Sequence, residues 1–541
     1  MPSTARMLSF APLLLTLTLL EPAFSEPRSD ATPLGWPPVW PHPLAFKNGS
    51  TLITISPNLA VTINSKGSQV LEKDENDVTQ AIARTLPLMF PHRISKKSAA
   101  FASIQKLSIT VREVGAELQL ATSENYTLNI PIESTIEITA PNQFGVMHAL
   151  QTLSQLVQFD FDSKSYTVAG GPWFIQDAPR FKHREVLVDT ARHFEPKAQM
   201  FRIIDSLTYA KINVMHWHLT DTQSFPFDSP SYPRLSAKGA YSPYERYSVE
   251  DVEDIIEYAR ARGVRCVVEI DTPGHAGSMC QGHPEICPSM SCTQPLNPAT
   301  NATFEVLEGL FHDLTGGAKG SGLFFDDMIH LGGDEVDPKC WEASPTISSW
   351  LKQRNMSTDD AYLYMVAKVQ DIAHAQGRDV IGWEEIWNHF GTKLDKSTIV
   401  QQWLPGSTAA QEAIAAGYRA IWSTDGVWYL DHLSVTWQTM YQAEPCTGID
   451  DNACDELMIG GGGEMWGETA DASDVLQTIW PRLAAISERL WSPRSLNDTG
   501  AATPRMMAFR CLLNSRGIPA APPTNENART APPGPGSCFA Q

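Results

Sequence analysis

Two adjacent acids follow a short apolar run in the middle of the chain. The run is Met328–Leu331, and Gly332–Gly333 separates it from Asp334 and Glu335. Such a run predicts a buried strand, and two glycines allow the backbone to turn sharply at its end. A carboxyl pair at the carboxyl end of a strand suits acetal cleavage, because one group can move the proton while the other stabilises the positive charge. Taken alone, the same pair is more typical of a solvated loop.

Polar and aromatic residues also follow the other apolar runs of this region. Individually each has a simpler explanation, since tryptophan is most often a core residue and arginine a surface salt-bridge partner. Together they indicate a sugar-binding site, because aromatic faces stack on the C–H faces of a sugar while its hydroxyls require paired hydrogen bonds. These residues are Arg192, Asp221, His275, Trp383, Trp403, Tyr429, Asp431, Trp466 and Glu468.

Eight apolar runs, alternating with helical segments from about residue 180, must position these side chains. The predicted strands are Val186–Thr190, Ile212–His218, Arg265–Ile270, Met328–Leu331, Val380–Trp383, Thr398–Trp403, Ala420–Trp422 and Leu457–Gly460. Helical periodicity predicts helices between most of them, such as Lys197–Ala210, Val249–Arg262, Asp359–Gln376 and Thr408–Ala416. Eight β/α units are what a closed TIM barrel requires, and a doubly wound open sheet is the alternative.

A different pattern precedes the barrel. Strand-like runs such as Leu107–Val111 and an amphipathic helix over Gly145–Phe159 predict a smaller α/β domain. We therefore divide the chain into a signal peptide (residues 1–25), an α/β accessory domain (26–175) and a barrel with a disulfide-tied C-terminal tail (176–541).

The stretch from His330 to Glu335 resembles the His-x-Gly-Gly-Asp-Glu signature of glycoside hydrolase family 20, the β-N-acetylhexosaminidases. The resemblance extends from about Trp36 to the last cysteine and implies a (β/α)8 TIM barrel preceded by a zincin-like α/β domain. It implies an exo-acting, retaining enzyme that removes terminal GlcNAc or GalNAc, with the acetamido group of the substrate as the nucleophile. Glu335 would then be the general acid/base and Asp334 the residue that orients the acetamido group, with no metal or cofactor required.

The same resemblance implies roles for the other strand-end residues. Arg192 and Glu468 would hold the hydroxyls of the terminal sugar, with Asp431 nearby, whereas Asp221 and His275 would lie behind the general acid and tune its proton affinity. The indoles would wall the acetamido group and the ring, and a phenol would bond the acetamido carbonyl oxygen; these are Trp383, Trp403, Trp466 and Tyr429.

Two departures from the family pattern stand near these motifs. Thr222 follows Asp221 where the family often has a second acid, and Gly460–Gly463 precedes Glu464 where a shorter Gly-Gly-Glu is usual. Local hydrogen bonding and geometry are therefore expected to differ there.

Two other classes of function compete with this interpretation. A lectin could use the same pocket without turnover, but it would not need both Asp334 and Glu335. An endo-acting chitinase of the other acetamido-assisted family expects a D-x-x-D-x-D-x-E strand, which the sequence lacks.

Charge and targeting signals indicate the compartment. The net charge of −20 over 541 residues argues against a nucleic acid or an anionic membrane surface as a partner. Arg6, the apolar run Met7–Leu20 and the small residues of Ala23–Ser25 predict a signal peptide, and hence a secreted, lysosomal or vacuolar protein. Glycosylation is predicted at the sequons of Asn48, Asn125, Asn301, Asn355 and Asn497. The resemblance also implies a homodimer.

Nine cysteines are candidates for disulfides in that compartment. Cys266 lies in an apolar run and is predicted to be a buried free thiol, which leaves an even number. The predicted pairs Cys446–Cys454 and Cys511–Cys538 close a short loop and the tail. The residues alone leave the pairing of the other four open, whereas the resemblance favours Cys287–Cys340 and leaves Cys280–Cys292.

Overall fold

The computed structural model describes residues 37–65, 72–95, 99–113, 116–318 and 322–524. The predicted signal peptide over residues 1–25 lies outside these ranges. The strands are β1 Ala45–Ser65, β2 Ile104–Val111, β3 Tyr126–Ile130, β4 Ser134–Ala140, β5 Gln158–Asp160, β6 Ser165–Asp177, β7 His183–Asp189, β8 Val214–Thr220, β9 Arg265–Ile270, β10 Met328–His330, β11 Asp379–Trp383, β12 Ile399–Gln402, β13 Arg419–Trp422 and β14 Met458–Met465.

The helices lie mostly between these strands. They are α1 Glu72–Met89, α2 Gln143–Leu156, α3 Lys197–Tyr209, α4 Arg234–Gly239, α5 Val249–Arg260, α6 Met279–Gly282, α7 Asn301–Thr315, α8 Lys339–Ala343, α9 Pro345–Arg354, α10 Thr358–Ala375, α11 Glu384–Phe390, α12 Ala409–Ala415, α13 Trp437–Gln442, α14 Asp451–Leu457, α15 Val475–Ile479, α16 Arg482–Trp491 and α17 Thr499–Ser515.

The N-terminal part is a smaller α/β domain, as predicted. Its mixed sheet has the strand order β1-β2-β4-β3-β6-β5, and helix α2 packs on strands β2, β3 and β4. The side chain of Asn142 caps α2 by accepting bonds from the backbone N–H groups of Phe144 and Gly145. All fourteen residues of α2 are buried, although the sequence predicted an amphipathic helix. The second face is covered because α2 also contacts α1 and the barrel helix α3.

Strands β7 to β14 form a closed barrel, so the prediction of a TIM barrel is confirmed and the open sheet is excluded. Neighbouring strands pair in parallel around the whole circuit, including the closing pair β14 and β7. Each of the eight predicted runs overlaps one barrel strand. The apolar runs were informative because parallel strands covered by helices are buried on both faces.

The barrel interior changes character along the strand axis. One layer is aliphatic and contains Val214, Val267, Met328, Ile381, Ile399, Ile421 and Ile459. Positions two residues further on share the inward face, and on β8, β9, β10 and β12 they are His216, Glu269, His330 and Gln401. All four are buried. We call them, with Glu185 of β7 and Glu464 of β14, the ionic layer, which occupies a place that barrels usually fill with branched aliphatic residues.

The glycine run on β14 makes room for this layer. A Cβ atom on Gly462 would lie 2.2 Å from Cγ of Glu185, so the Glu185 side chain occupies the space that a larger residue would need. Gln401 then donates to Oε1 of Glu185 at 2.6 Å and contacts Glu464 at 3.3 Å. The departure at Gly460–Gly463 therefore has a packing explanation.

Two predicted disulfide pairs are wrong. The structure joins Cys280 to Cys287 and Cys292 to Cys340, with Cα–Cα distances of 5.9 and 5.5 Å, rather than forming Cys280–Cys292 and Cys287–Cys340. The physical reason is a local chain reversal: α6 and the 3-10 turn Pro284–Ile286 bring Cys287 back against Cys280.

The other cysteine predictions concern Cys446–Cys454, Cys266 and Cys511–Cys538. The pair Cys446–Cys454 is confirmed, and Cys266 is a buried free thiol as predicted. Cys511 is disulfide-bonded, but Cys538, its predicted partner, lies outside the described residues.

The surface of the described chain bears on its location. No helix in these ranges is long and apolar enough to cross a membrane. All five sequon asparagines are exposed, which leaves them accessible for glycosylation; they are Asn48, Asn125, Asn301, Asn355 and Asn497.

Candidate active site

A pocket opens at the carboxyl ends of the barrel strands. Its cavity has a volume of about 290 Å³, near the lower end of the ~300–1,000 Å³ range of small-molecule sites. The lining contains ten of the eleven residues predicted from the sequence: Arg192, His275, Asp334, Glu335, Trp383, Trp403, Tyr429, Asp431, Trp466 and Glu468. The eleventh, Asp221, lies directly behind Arg192 and His275.

The turn after β10 places the two acids side by side. Gly332 has φ +67°, and a Cβ atom there would lie 1.8 Å from Oδ1 of Asp271, so only glycine fits. The backbone N–H of Gly333 donates to Asp271 Oδ1 at 3.0 Å, and the Tyr362 hydroxyl donates to the Gly333 carbonyl. Glu335 itself adopts φ +49°, a left-handed conformation of the kind found at functional sites.

Asp334 is the more buried member of the acid pair. Its residue is 9% exposed, and Oδ1 has no hydrogen-bond partner among the described residues. Oδ2 lies 3.5 Å from Nε2 of His275. Burial raises the pKa of Asp334 above its ordinary value, and the His275 charge opposes that rise. Behind it, burial and the Asp334 charge raise the pKa of Asp271 well above its usual range, which favours a proton shared between these two carboxyl groups.

Glu335 has a more exposed carboxyl group. Its side chain is 61% exposed, and Oε2 lies 3.3 Å from Nε2 of His275. The hydrogen bond from His275 lowers the pKa of Glu335 below its ordinary value. A ligand that covered this carboxyl would remove water from it and raise the pKa again, as a general acid requires.

His275 carries a proton between several carboxyl groups. Nδ1 lies 3.2 Å from Oδ2 of Asp221, while Nε2 faces Asp334 and Glu335. Burial opposes the charged imidazole, but the Asp334 charge and the hydrogen bond to Asp221 raise the pKa of His275 far above its usual range. The same imidazole therefore contacts both members of the acid pair and can exchange a proton with either.

Arg192 occupies one side of the pocket. Its guanidinium pairs with Asp221 at 2.7 Å, with Asp189 at 3.2 Å and with Glu468 at 3.9 Å. Its Cζ lies 5.1 Å from the ring centroid of Trp466, a cation–π distance. Arg192 thus presents fixed donors to the pocket next to an aromatic face.

Aromatic side chains form much of the pocket wall. The rings of Trp383 and Trp466 lie 5.9 Å apart, and those of Trp403 and Tyr429 stack at 6.3 Å. The indole N–H of Trp383 donates to Glu269 at 2.9 Å. This combination of rigid faces with convergent donors and acceptors is suited to a sugar ring.

Several site residues were not assigned from the sequence. Glu385 accepts the indole N–H of Trp403 at 2.8 Å, and burial together with the Asp334 charge raises its pKa to about 8. His432 and Thr469 line the pocket. Each is adjacent to an assigned motif, so a search extended by a few residues past each strand end would have found them.

Three groups of described residues bring histidine and carboxylate atoms within 4.8 Å of one another, as metal sites do: His216, Glu269 and His330; Glu185, His216 and Glu464; Asp271, His275 and Asp334. Their carboxylates already accept protein donors. Glu185 accepts from Gln401, Glu269 from Trp383, and Asp271 from the Gly333 backbone. The protein itself therefore supplies a donor for one carboxylate of each group, and we assign no metal to these groups.

Comparisons with known proteins agree with this geometry. Residues 181–494 match the family described as glycosyl hydrolase family 20, catalytic domain, and residues 39–156 match beta-acetyl hexosaminidase like. Beta-hexosaminidase 1 of Arabidopsis thaliana is 42% identical, with 98% of each chain covered. The beta-hexosaminidase subunit beta of Homo sapiens is 33% identical over 96% of this chain and 94% of its own. A solved chitobiase structure from Flavobacterium johnsoniae has a TM-score of 0.76 and 27% identity, covering 89% of this chain and 73% of that one.

Proposed function

The chain belongs to glycosyl hydrolase family 20, and from that premise we propose that it is an exo-acting β-N-acetylhexosaminidase that removes terminal GlcNAc or GalNAc by substrate-assisted catalysis. The observation that carries the proposal is the pairing of Asp334 and Glu335 in a pocket of about 290 Å³. A pocket of that size suits one terminal sugar better than a long polymer, which favours exo action.

Asp334 is assigned to the acetamido group. The acetamido oxygen attacks the anomeric carbon while the bond to the leaving oxygen breaks, and positive charge spreads over the new oxazolinium ring. Asp334 lines the pocket with its residue 9% exposed and its Oδ1 without a hydrogen-bond partner among the described residues, so its charge is available to this ring. A fixed anion in such a site stabilises developing charge without rearrangement of solvent.

Glu335 is assigned to proton transfer. It protonates the leaving oxygen in the first step, then takes a proton from water as that water opens the oxazolinium ring, so the anomeric configuration is retained. His275, at 3.3 Å from Glu335, holds the proton in the unliganded site. Sugar binding covers the exposed Glu335 carboxyl and shifts the proton toward it.

The remaining lining residues hold the sugar. Arg192 and Glu468 bond its hydroxyls, with Asp431 in the same part of the pocket. Trp383, Trp403 and Trp466 wall the ring and the acetamido methyl group, and the Tyr429 hydroxyl bonds the acetamido carbonyl oxygen. No metal or cofactor enters this scheme.

The test is hydrolysis of a nitrophenyl N-acetyl-β-glucosaminide by the wild type and by Glu335→Gln. We expect turnover with retained configuration in the wild type and a loss of ~10²–10⁴-fold in the variant, the usual contribution of a general acid. Glu342→Gln is the matched control, because Glu342 is exposed and outside the pocket. A wild type that binds the sugar tightly but never cleaves it would instead establish the lectin.

The cellular setting belongs to the same proposal. We propose a cleaved signal peptide over residues 1–25, glycosylation at the five exposed sequons, and a secreted, lysosomal or vacuolar destination. The three disulfides among the described residues are consistent with this route. The proposal also includes domain limits at 26–175 and 176–541 and a homodimer. N-terminal sequencing and sedimentation of the secreted protein test these points.

A further inference from the structure

The acid pair is connected to the ionic layer through a second histidine. His218 on β8 directs Nε2 at Oδ2 of Asp221 at 2.9 Å and Nδ1 at Oε2 of Glu269 at 2.5 Å. Asp221 contacts His275 at 3.2 Å, and His275 contacts Glu335 at 3.3 Å. Glu269, His218, Asp221, His275 and Glu335 therefore form one unbroken chain of alternating carboxyl and imidazole groups.

The inner part of this chain is sealed from solvent. The side chains of Glu269 and Asp221 are 0% exposed and that of His218 is 1% exposed. Burial alone would make the imidazole neutral, but the Glu269 charge and the hydrogen bonds to Asp221 and Glu269 raise the pKa of His218 to about 9. His218 is therefore a fixed cation with both ring nitrogens engaged.

Glu269 stands at the buried end of this series of carboxyl and imidazole groups. It also faces Nε2 of His216 at 3.0 Å and accepts the Trp383 indole N–H at 2.9 Å. The Trp383 donor and the neighbouring imidazole hold the carboxylate in the barrel core, and Glu269 in turn fixes the orientation of His218.

We propose that His218 is a positioning residue for proton transfer: held by Glu269, it fixes Asp221 as an oriented anion, and Asp221 in turn holds His275 against Glu335. This inference rests on the proposed function and deepens it. It assigns a task to the second histidine of the His216-Trp217-His218 motif, which the site description alone leaves without one.

The expected consequence is specific to the leaving group. A sugar leaving oxygen is a poor leaving group and requires protonation by Glu335, whereas a dinitrophenolate leaves without it. Misplacing Asp221 and His275 should therefore slow hydrolysis of a substrate with a sugar leaving group and leave hydrolysis of a dinitrophenyl substrate nearly unchanged. A purely structural role would not distinguish them, because damage to the pocket or to Trp466, which packs on His218 at 5.0 Å, affects the shared sugar.

The experiment measures kcat/KM of His218→Gln and Glu269→Gln on chitobiose and on dinitrophenyl N-acetyl-β-glucosaminide. We expect a loss of ~10–100-fold on chitobiose and less than about threefold on the dinitrophenyl substrate. Glutamine at position 269 retains a carbonyl acceptor for Trp383 but removes the charge and the second acceptor oxygen, the one that faces His218. The two variants remove opposite members of the same ion pair, and the double variant replaces the pair by two neutral amides if either single variant fails to fold.

His183→Gln is the matched control. His183 is also a buried barrel histidine paired with a glutamate, Glu185, at 2.5 Å, but it has no contact with Asp221 or His275 among the described residues. The kcat/KM of His183→Gln should change by the same factor on both substrates. Equal losses on both substrates in His218→Gln, or no loss, overturn the inference, whereas absence of leaving-group selectivity in Glu335→Gln overturns the proposed acid role itself.

Discussion

Replacing Asp334 by Asn isolates the charge that the proposed mechanism requires. The substitution keeps the side-chain shape but removes an anion whose residue is 9% exposed and whose buried Oδ1 has no hydrogen-bond partner among the described residues. Two unit charges about 4 Å apart interact by ~4 kcal/mol at an effective dielectric of ~20. Since ~1.4 kcal/mol corresponds to tenfold in rate, we expect a loss of ~10²–10³-fold in kcat, with part of the charge energy offset by reorganisation.

The assay compares kcat and KM on a nitrophenyl N-acetyl-β-glucosaminide. The loss should fall on kcat, because the oxazolinium charge exists only after the acetamido group attacks. Asp337→Asn is the control, because Asp337 is an exposed neighbour that pairs with Lys339 at 2.6 Å. A loss below about threefold in Asp334→Asn, or a covalent glycosyl adduct on Asp334 detected by mass spectrometry of a trapped reaction, would refute the reasoning.

Two further predictions concern stability. Gly462→Ala should destabilise the fold by several kcal/mol, on the order of the larger core effects, because its Cβ would lie 2.2 Å from Cγ of Glu185. Chemical denaturation measures this loss. Gly500→Ala, at the exposed start of α17, is the control and should be close to neutral. Because burial raises the pKa of Glu385 to about 8, the stabilising contribution of its protonated form is present at low pH and lost as the pH rises through about 8. The melting temperature of Glu385→Gln should therefore fall less than that of the wild type between about pH 5 and pH 9, and parallel curves would contradict the assignment.

The barrel could be predicted from the sequence because its strands are buried on both faces. Runs such as Val380–Trp383 are apolar over their full length and are bounded by helical segments, so hydrophobicity located them. The strand-end residues followed from the same argument, since the carboxyl ends of parallel strands converge. Helix α2 was predicted in type but not in burial, because sequence periodicity reports one covered face and the barrel covers the other.

The disulfide pairing could not be predicted, because it depends on a local reversal. The short helix α6 and the turn Pro284–Ile286 bring Cys287 to Cys280, and no residue pattern distinguishes that geometry from the alternatives. The ionic layer was overlooked for a different reason. His216 and His218 alternate with apolar residues on β8, so inward positions were available from the period of two, but partners such as Glu185 and Glu269 lie on other strands.

The ionic layer is explained by the site above it rather than by the stability of the barrel. Buried ion pairs are on balance no more stabilising than well-packed aliphatic residues, and the same barrel carries an aliphatic layer two residues earlier on its strands, at Val214 and Val267. The pocket, however, gathers several carboxyl groups close together, and Asp221 and Asp334 among them are buried. Their charges must be held by protein donors at fixed positions, because water that reorients during the reaction would weaken the stabilisation of the transition state. The His218 imidazole meets that requirement for Asp221, and an aliphatic residue in place of Glu269 would leave this imidazole without the layer carboxylate that holds it.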